Sequence, residues 1–61
     1  MDHGSLTQYI GKKVKLVLDN GFWYKAKILD VNEDSVTFIE LKGNTVSVHP
    51  SVIMVIEEVS E

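Results

Sequence analysis

An alternating strand that runs into an Asn-Gly dipeptide constrains the fold of this chain more than any other feature. The apolar residues Val14, Leu16 and Leu18 alternate with Lys13, Lys15 and Val17, so one face is apolar and the other is mostly polar. This period-two pattern is typical of a strand with one buried face. Asn20-Gly21 follows at once and supplies the positive φ angles that a tight hairpin needs. We therefore predict a second strand that returns antiparallel from Phe22 to about Val31.

The rest of the chain predicts three more short strands. Residues 36–39 are rich in β-branched side chains, residues 45–49 alternate cleanly, and residues 52–57 are mostly apolar. Polar turns separate these segments, and Pro50-Ser51 breaks the fourth strand from the fifth because proline cannot donate to a ladder. Ahead of the first strand, the segment from Ser5 to Gly11 has a serine cap and predicts one or two helical turns.

Five short strands joined by tight turns are too few for a sandwich, so the sheet must curl to cover its own apolar face. The predicted fold is all-β, a strongly bent five-stranded antiparallel open barrel with a short N-terminal helical turn. Residues 6–58 form its single domain. Residues 1–5 are small and polar, either a disordered start or a cloning remnant, and residues 59–61 form an acidic end.

The predicted second strand carries a candidate RNA site. Alternation places Phe22 and Tyr24 on the same face as Ala26 and Ile28, so we expect both aromatic rings in the core. The other face carries an aromatic ring interleaved with cations, which is typical of a base-stacking platform. The candidate residues on that face are Trp23, Lys25 and Lys27. Two alternatives stay open: the lysines form a solvated face, or the tryptophan lies in a subunit interface.

The fifth strand is apolar on both faces, and a barrel of this size covers only one of them. Sixty-one residues bury little surface, and the chain has no cysteine for disulfides, so partner subunits are the natural source of stability. We therefore predict a homo-oligomer. The alternative is that the helical turn covers the second face. The candidate interface residues are Val46, Val48, Val52, Met54 and Ile56.

The net charge and the absence of catalytic and metal-binding motifs argue against several other functions. The net charge is −3, which argues against coating nucleic acid by bulk electrostatics, although five of the six lysines lie in the first half of the chain. There is no cysteine nucleophile, Gly-rich phosphate loop or histidine pair at metal-ligand spacing, so we expect no enzymatic activity, cofactor, metal or small-molecule substrate. No apolar run could span a bilayer and the start lacks the features of a secretory signal, so we expect a cytoplasmic protein without membrane contact.

The order of elements resembles the Sm/LSm family, including bacterial Hfq, over nearly the whole chain. Ala26 and Ile28 fall where the family's second strand has Gly-x-Leu, Val31-Asn32 where it has Phe-Asp, and residues 48–51 at its fourth turn. The residues that resemble its helix end, first strand and Asp/Asn-Gly turn are Leu6, Tyr9, Ile10, Gly11, Lys12, Lys13, Val14, Leu16, Leu18, Asn20 and Gly21. The resemblance implies an Sm-like or SH3-like barrel in a hexameric or heptameric ring, closed by strand pairing between subunits.

The resemblance also implies a uridine site at the second and fourth turns, for which Asn32, His49 and Gln8 are the candidates. The site departs from the family pattern because the chain has no arginine and Glu33 and Asp34 add negative charge. Alternatively, these candidates are a turn-forming Asn, a solvated His and a surface Gln. The expected function is a ring-forming subunit that binds U-rich or A-rich single-stranded RNA at a pore or face. The alternative is an oligomeric protein-interaction or assembly module without RNA binding.

Overall fold

The fold is a five-stranded antiparallel sheet preceded by a short helix. A computed structural model describes residues 3–59. Its elements are a helix α1 (His3–Leu6), a 3-10 turn (Thr7–Tyr9), β1 (Lys13–Leu18), β2 (Trp23–Val31), β3 (Val36–Glu40), β4 (Thr45–Val48), a second 3-10 turn (Pro50–Val52) and β5 (Ile53–Glu58). The predicted all-β class, the five strands and the N-terminal helical turns are confirmed.

The helix begins earlier in the chain than expected. His3, Gly4 and Ser5, which the sequence pattern left outside the domain, belong to α1 together with Leu6. Leu6 is fully buried, so α1 is held by the packing of its last residue. The remaining residues of the expected disordered or remnant segment, 1 and 2, lie outside the described residues, as do 60 and 61 of the acidic end. Between residues 3 and 59, no helix has the length and apolar character to traverse a bilayer.

The strands lie in the order β4-β3-β2-β1-β5, so β4 and β5 form the two edges of the sheet. Neighbours in the sheet are also neighbours in sequence, except that β5 pairs with β1. This order is compatible with an open, barrel-like sheet that curls around a single core. The core residues are Leu6, Val14, Leu16, Leu18, Ala26, Ile28, Val31, Val36, Phe38 and Ile53.

The hairpin between β1 and β2 lies where the Asn-Gly dipeptide predicts it, but its turn type differs. Gly21 has a φ of +89°, whereas none of the non-glycine residues from 3 to 59 has a positive φ. The Gly21 N–H donates to the Leu18 carbonyl (3.0 Å) and the Leu18 N–H donates to the Phe22 carbonyl (2.8 Å). This is a type I turn closed by a glycine bulge, in which only Gly21 needs the left-handed conformation.

Two register shifts bend the sheet. In β2 the pairing with β3 shifts between Ile28 and Asp30, and the buried positions change from even to odd numbers at Val31. In β5 the pairing with β1 shifts near Met54, which is left exposed. A bulge adds one residue to one strand and increases the local twist, which is how a single sheet curls over its own core.

The prediction that both Phe22 and Tyr24 lie in the core is wrong for Phe22. Its side chain is 63% exposed because it belongs to the turn, before β2 begins at Trp23. Tyr24 is half-buried and packs against the core, with its ring centroid 5.4 Å from that of Phe38. The inward face of β2 therefore begins with Tyr24.

Candidate nucleic-acid interface

The three candidates for a uridine site each make local hydrogen bonds. The Asn32 Oδ1 accepts from the N–H groups of Asp34 and Ser35, both at 2.9 Å, which is the pattern of an Asx turn. The Gln8 Nε2 donates to the Ser5 carbonyl at 3.1 Å. His49 precedes the second 3-10 turn, and its Nδ1 accepts from the Ser51 N–H at 3.1 Å. Each side chain therefore has a structural role in its own turn.

The pairing register places two of these candidates at the same end of the sheet. Val31, Val36 and Val48 form one row across β2, β3 and β4. Asn32 and His49 directly follow the outer members of that row. The two side chains thus extend from neighbouring turns, while Gln8 lies on the 3-10 turn (Thr7–Tyr9).

A different cluster stands out on the outer face of the β1–β2 hairpin, opposite the core. Lys13 pairs with Lys27, and Lys15 pairs with Lys25. Two successive cross-strand pairs therefore bring together like charges, an arrangement that destabilises a sheet. We refer to these four residues, Lys13, Lys15, Lys25 and Lys27, as the basic face.

The hydrogen-bond pattern brings the paired lysines as close as a sheet allows. The Leu18 N–H donates to the Phe22 carbonyl and the Ile28 N–H donates to the Lys12 carbonyl, so even-numbered residues form the hydrogen-bonded pairs of this hairpin. Both lysine pairs therefore occupy non-hydrogen-bonded sites, where opposed side chains approach most closely. The concentration of positive charge is greatest along the middle of the hairpin.

Trp23 borders the basic face at the end nearest the turn. It lies on the outer face of β2, as alternation along the strand predicts. It pairs with Val17 across the hairpin and is 58% exposed. The Lys15 Nζ lies 5.4 Å from the centre of its ring, within the range of a cation–π contact. A large π surface thus lies at one end of the basic face, in contact with the Lys15 ammonium group.

A groove of about 550 Å³ is lined in part by residues of the basic face. Three lysines line it together with Glu40, the last residue of β3, and with apolar residues of β3, of the turn that follows it and of the position after β5. Leu41, which is 75% exposed, forms part of its wall because its N–H donates to the Lys25 carbonyl. Its lining includes Lys13, Lys25, Lys27, Ile39, Leu41 and Val59.

Acidic residues limit the basic face on the β5 side. Glu57 pairs with Lys15 across the β1–β5 ladder, and Glu58 forms an ion pair with Lys12 at 3.3 Å. Positive charge is therefore confined to a stripe along β1 and β2. This confinement explains how a chain with a net charge of −3 presents a basic surface.

The candidate interface residues lie on the edge strands and beside them. Four of them, Val46, Val48, Val52 and Ile56, are half-buried and pack against the chain's own core. Met54 is 61% exposed, and Val55, which the sequence pattern did not single out, is 41% exposed. The alternative in which the helical turn covers the second face of β5 is wrong for these two side chains, since α1 buries Leu6 in the core and leaves them open.

Sequence reasoning also missed part of the basic face. The sequence groups Lys13 and Lys15 with Lys25 and Lys27 as lysines of the first half of the chain that could form one basic patch, but it does not identify them as the cross-strand partners of the candidates beside Trp23. The sequence alone does not give these pairs, because the register depends on the turn type: a two-residue turn at Asn20-Gly21 would place Lys15 opposite Ala26, whereas the observed bulged turn pairs Leu18 with Phe22.

Comparisons with known proteins add no identification. The chain matches no protein-family model, no curated protein and no solved structure. Within residues 3–59 no three histidine, aspartate or glutamate side chains come together as a metal site would require, and the sequence contains no cysteine.

Proposed function

We propose that this protein binds single-stranded RNA through the basic face and Trp23, as an Sm-like subunit of a homo-oligomer. The observation that carries the proposal is the double lysine pair beside an exposed tryptophan. Like charges placed directly opposite each other reduce the stability of the hairpin, and a polyanionic ligand would offset that repulsion.

The chemistry of the surface favours a single strand. Proteins that bind single strands combine a positive groove along the backbone with aromatic rings on which bases stack. Four lysines supply the positive charge and Trp23 supplies one stacking surface worth about 1 to 3 kcal/mol for a bound base. Because stacking accepts every base, we expect only a modest preference for U-rich or A-rich strands.

The local hydrogen bonds of Asn32, His49 and Gln8 support the basic face over the turn residues as the main site. A side chain that already caps a turn loses that contact when it reaches toward a ligand. We therefore propose that the turns contribute less to binding than the lysines do.

Intrinsic fluorescence gives a direct test because Trp23 is the only tryptophan of the chain. Oligouridylate and oligoadenylate should quench Trp23, and the affinity should fall as salt is added. Lys25→Gln should weaken binding, whereas Lys12→Gln, which removes a lysine that is ion-paired with Glu58 and lies outside the basic face, should have a smaller effect. Unchanged fluorescence at saturating oligonucleotide and low salt would refute the proposal.

A second observation supports self-assembly, independently of RNA. β4 and β5 are the edges of the sheet, and β5 presents Met54 and Val55 on its exposed side. Open edges beside exposed apolar side chains are a template for pairing with another chain. We propose that β4 of one copy pairs with β5 of the next, in the hexameric or heptameric ring that the Sm resemblance implies.

A proline substitution at the edge of β4 distinguishes strand pairing between copies from non-specific hydrophobic association. The Glu40 N–H donates to the Asn44 carbonyl, so by alternation the N–H groups of Val46 and Val48 point to β3 and that of Ser47 points away. Ser47→Pro should therefore dissociate the oligomer and keep the fold. Ser47→Ala is the matched control, because both variants lose the hydroxyl contact with Thr37. Light scattering on a sizing column measures the mass, and a monomeric wild type would refute assembly.

A further inference from the structure

We infer that a bound single strand lies parallel to β1 and β2, with two successive phosphates on the two lysine pairs and the adjoining base on Trp23. This inference rests on the proposed function and adds the path of the ligand. The structural basis is a series of three rows along the outer face of the hairpin. The rows are Lys13 with Lys27, Lys15 with Lys25, and Val17 with Trp23.

The spacing of the rows fits a nucleic-acid backbone. Successive rows are two residues apart along each strand, which corresponds to about 6.7 Å. Adjacent phosphates of an extended single strand repeat over a similar distance. Two phosphates aligned with the hairpin therefore each meet one pair of lysines, and the next position meets an aromatic ring instead of a cation.

The neighbouring strands disfavour a path across the sheet. Toward β5, a backbone passing Lys15 would meet the carboxylate of Glu57, its partner across that ladder. Toward β3, it would leave the lysines for the apolar side chains of Ile39 and Leu41. Neither direction offers a second pair of opposed lysines to the next phosphate: the β5 side carries carboxylates and the β3 side only the single Lys42 of the turn, whereas the direction along the hairpin offers two pairs.

The contact between Lys15 and Trp23 couples the two kinds of binding. In the free protein the Lys15 Nζ lies over the ring, 5.4 Å from its centre. A phosphate on the Lys15–Lys25 row attracts this ammonium group, and its movement uncovers the ring for a base. Phosphate binding therefore favours stacking, and stacking favours phosphate binding by the same factor.

Short ligands of defined phosphate number test the path. Uridine monophosphate offers one base and one phosphate, and diuridylate with a terminal phosphate offers two bases and two phosphates. Each is titrated in its 5′- and 3′-phosphorylated form, with quenching of Trp23 as the measurement. Lys25→Gln should weaken binding of both ligands, because its row adjoins the ring.

Lys27→Gln is the discriminating variant. It should weaken the two-phosphate ligand by roughly two- to fivefold, the effect expected for one exposed charge pair, and leave the one-phosphate ligand nearly unchanged. Lys12→Gln, at a lysine that is ion-paired with Glu58 outside the basic face, is the control for a loss of net charge. Equal effects of Lys25→Gln and Lys27→Gln on both ligands would overturn the path while leaving RNA binding intact. Absence of quenching by these ligands and by long oligonucleotides would overturn both.

Discussion

Reversing one charge of the basic face should stabilise the fold and weaken RNA binding at the same time. Lys13 and Lys27 face each other at a non-hydrogen-bonded site of the hairpin. Lys27→Glu replaces this repulsion with an attraction between opposite charges. Since a cross-strand charge pair contributes about 0.2–1 kcal/mol, we expect the free energy of unfolding to rise by about 0.5–1 kcal/mol at low salt. For a domain of this length the midpoint temperature should rise by roughly 2–8 °C.

Circular dichroism during urea and thermal unfolding measures the stability, and quenching of Trp23 measures the affinity for oligouridylate. Lys42→Glu is the control, because Lys42 lies in a turn and makes the same change in net charge outside the paired rows. We expect the gain in stability to shrink at high salt, where exposed charges are screened, and the affinity to fall by about tenfold. Destabilisation by Lys27→Glu, or an equal gain from Lys42→Glu, would refute the reasoning.

Three further predictions concern the turns and the core. Gly21→Ala should destabilise the protein by about 1 kcal/mol, because a Cβ there meets nothing within 4 Å and the cost is that of the positive φ alone; Gly21→Asn should cost less, and thermal melting compares the two. His49→Ala should cost about 1 kcal/mol in urea unfolding, through loss of the acceptor for the Ser51 N–H, and leave quenching by RNA unchanged; a loss of affinity at constant stability would restore the uridine role. Phe38→Ala should lower the free energy of unfolding by about 3–5 kcal/mol, which is much of the total stability of a domain of this length. Phe38→Leu should keep a cooperative thermal transition, measured by circular dichroism. An equally cooperative transition for the alanine variant would contradict the place of Phe38 in the core.

The sequence pattern predicts the strands well because alternation and turn residues act locally. The dipeptide Asn20-Gly21 locates the hairpin, but not the turn type, which depends on how the backbone closes. The Asn20 Oδ1 accepts from the Phe22 N–H at 3.0 Å, and Gly21 alone takes the positive φ. Phe22 was misplaced for the same reason, since alternation holds only within a strand and this residue lies in the turn.

The candidate site was predicted in part. Alternation along β2 is enough to place Trp23, Lys25 and Lys27 on one outer face. Alternation within β2 does not identify the opposing lysines of β1. Their pairing depends on the register between the two strands, which the turn between them determines. The hydrogen bonds of Asn32 and His49 depend on side-chain rotamers in turns, which no periodicity encodes.

The position of β5 in the sheet has a consequence for the folding kinetics. β1 to β4 pair with their sequence neighbours, so this meander requires only short loop closures. β5 must return across nearly the whole chain to pair Glu58 with Val14. We expect β5 to join last, so that its own substitutions accelerate unfolding more than they slow refolding. Until β5 joins, the edge of β1 can pair with the β5 of another copy. A higher protein concentration during refolding should therefore favour exchange of β5 between copies over pairing within one chain.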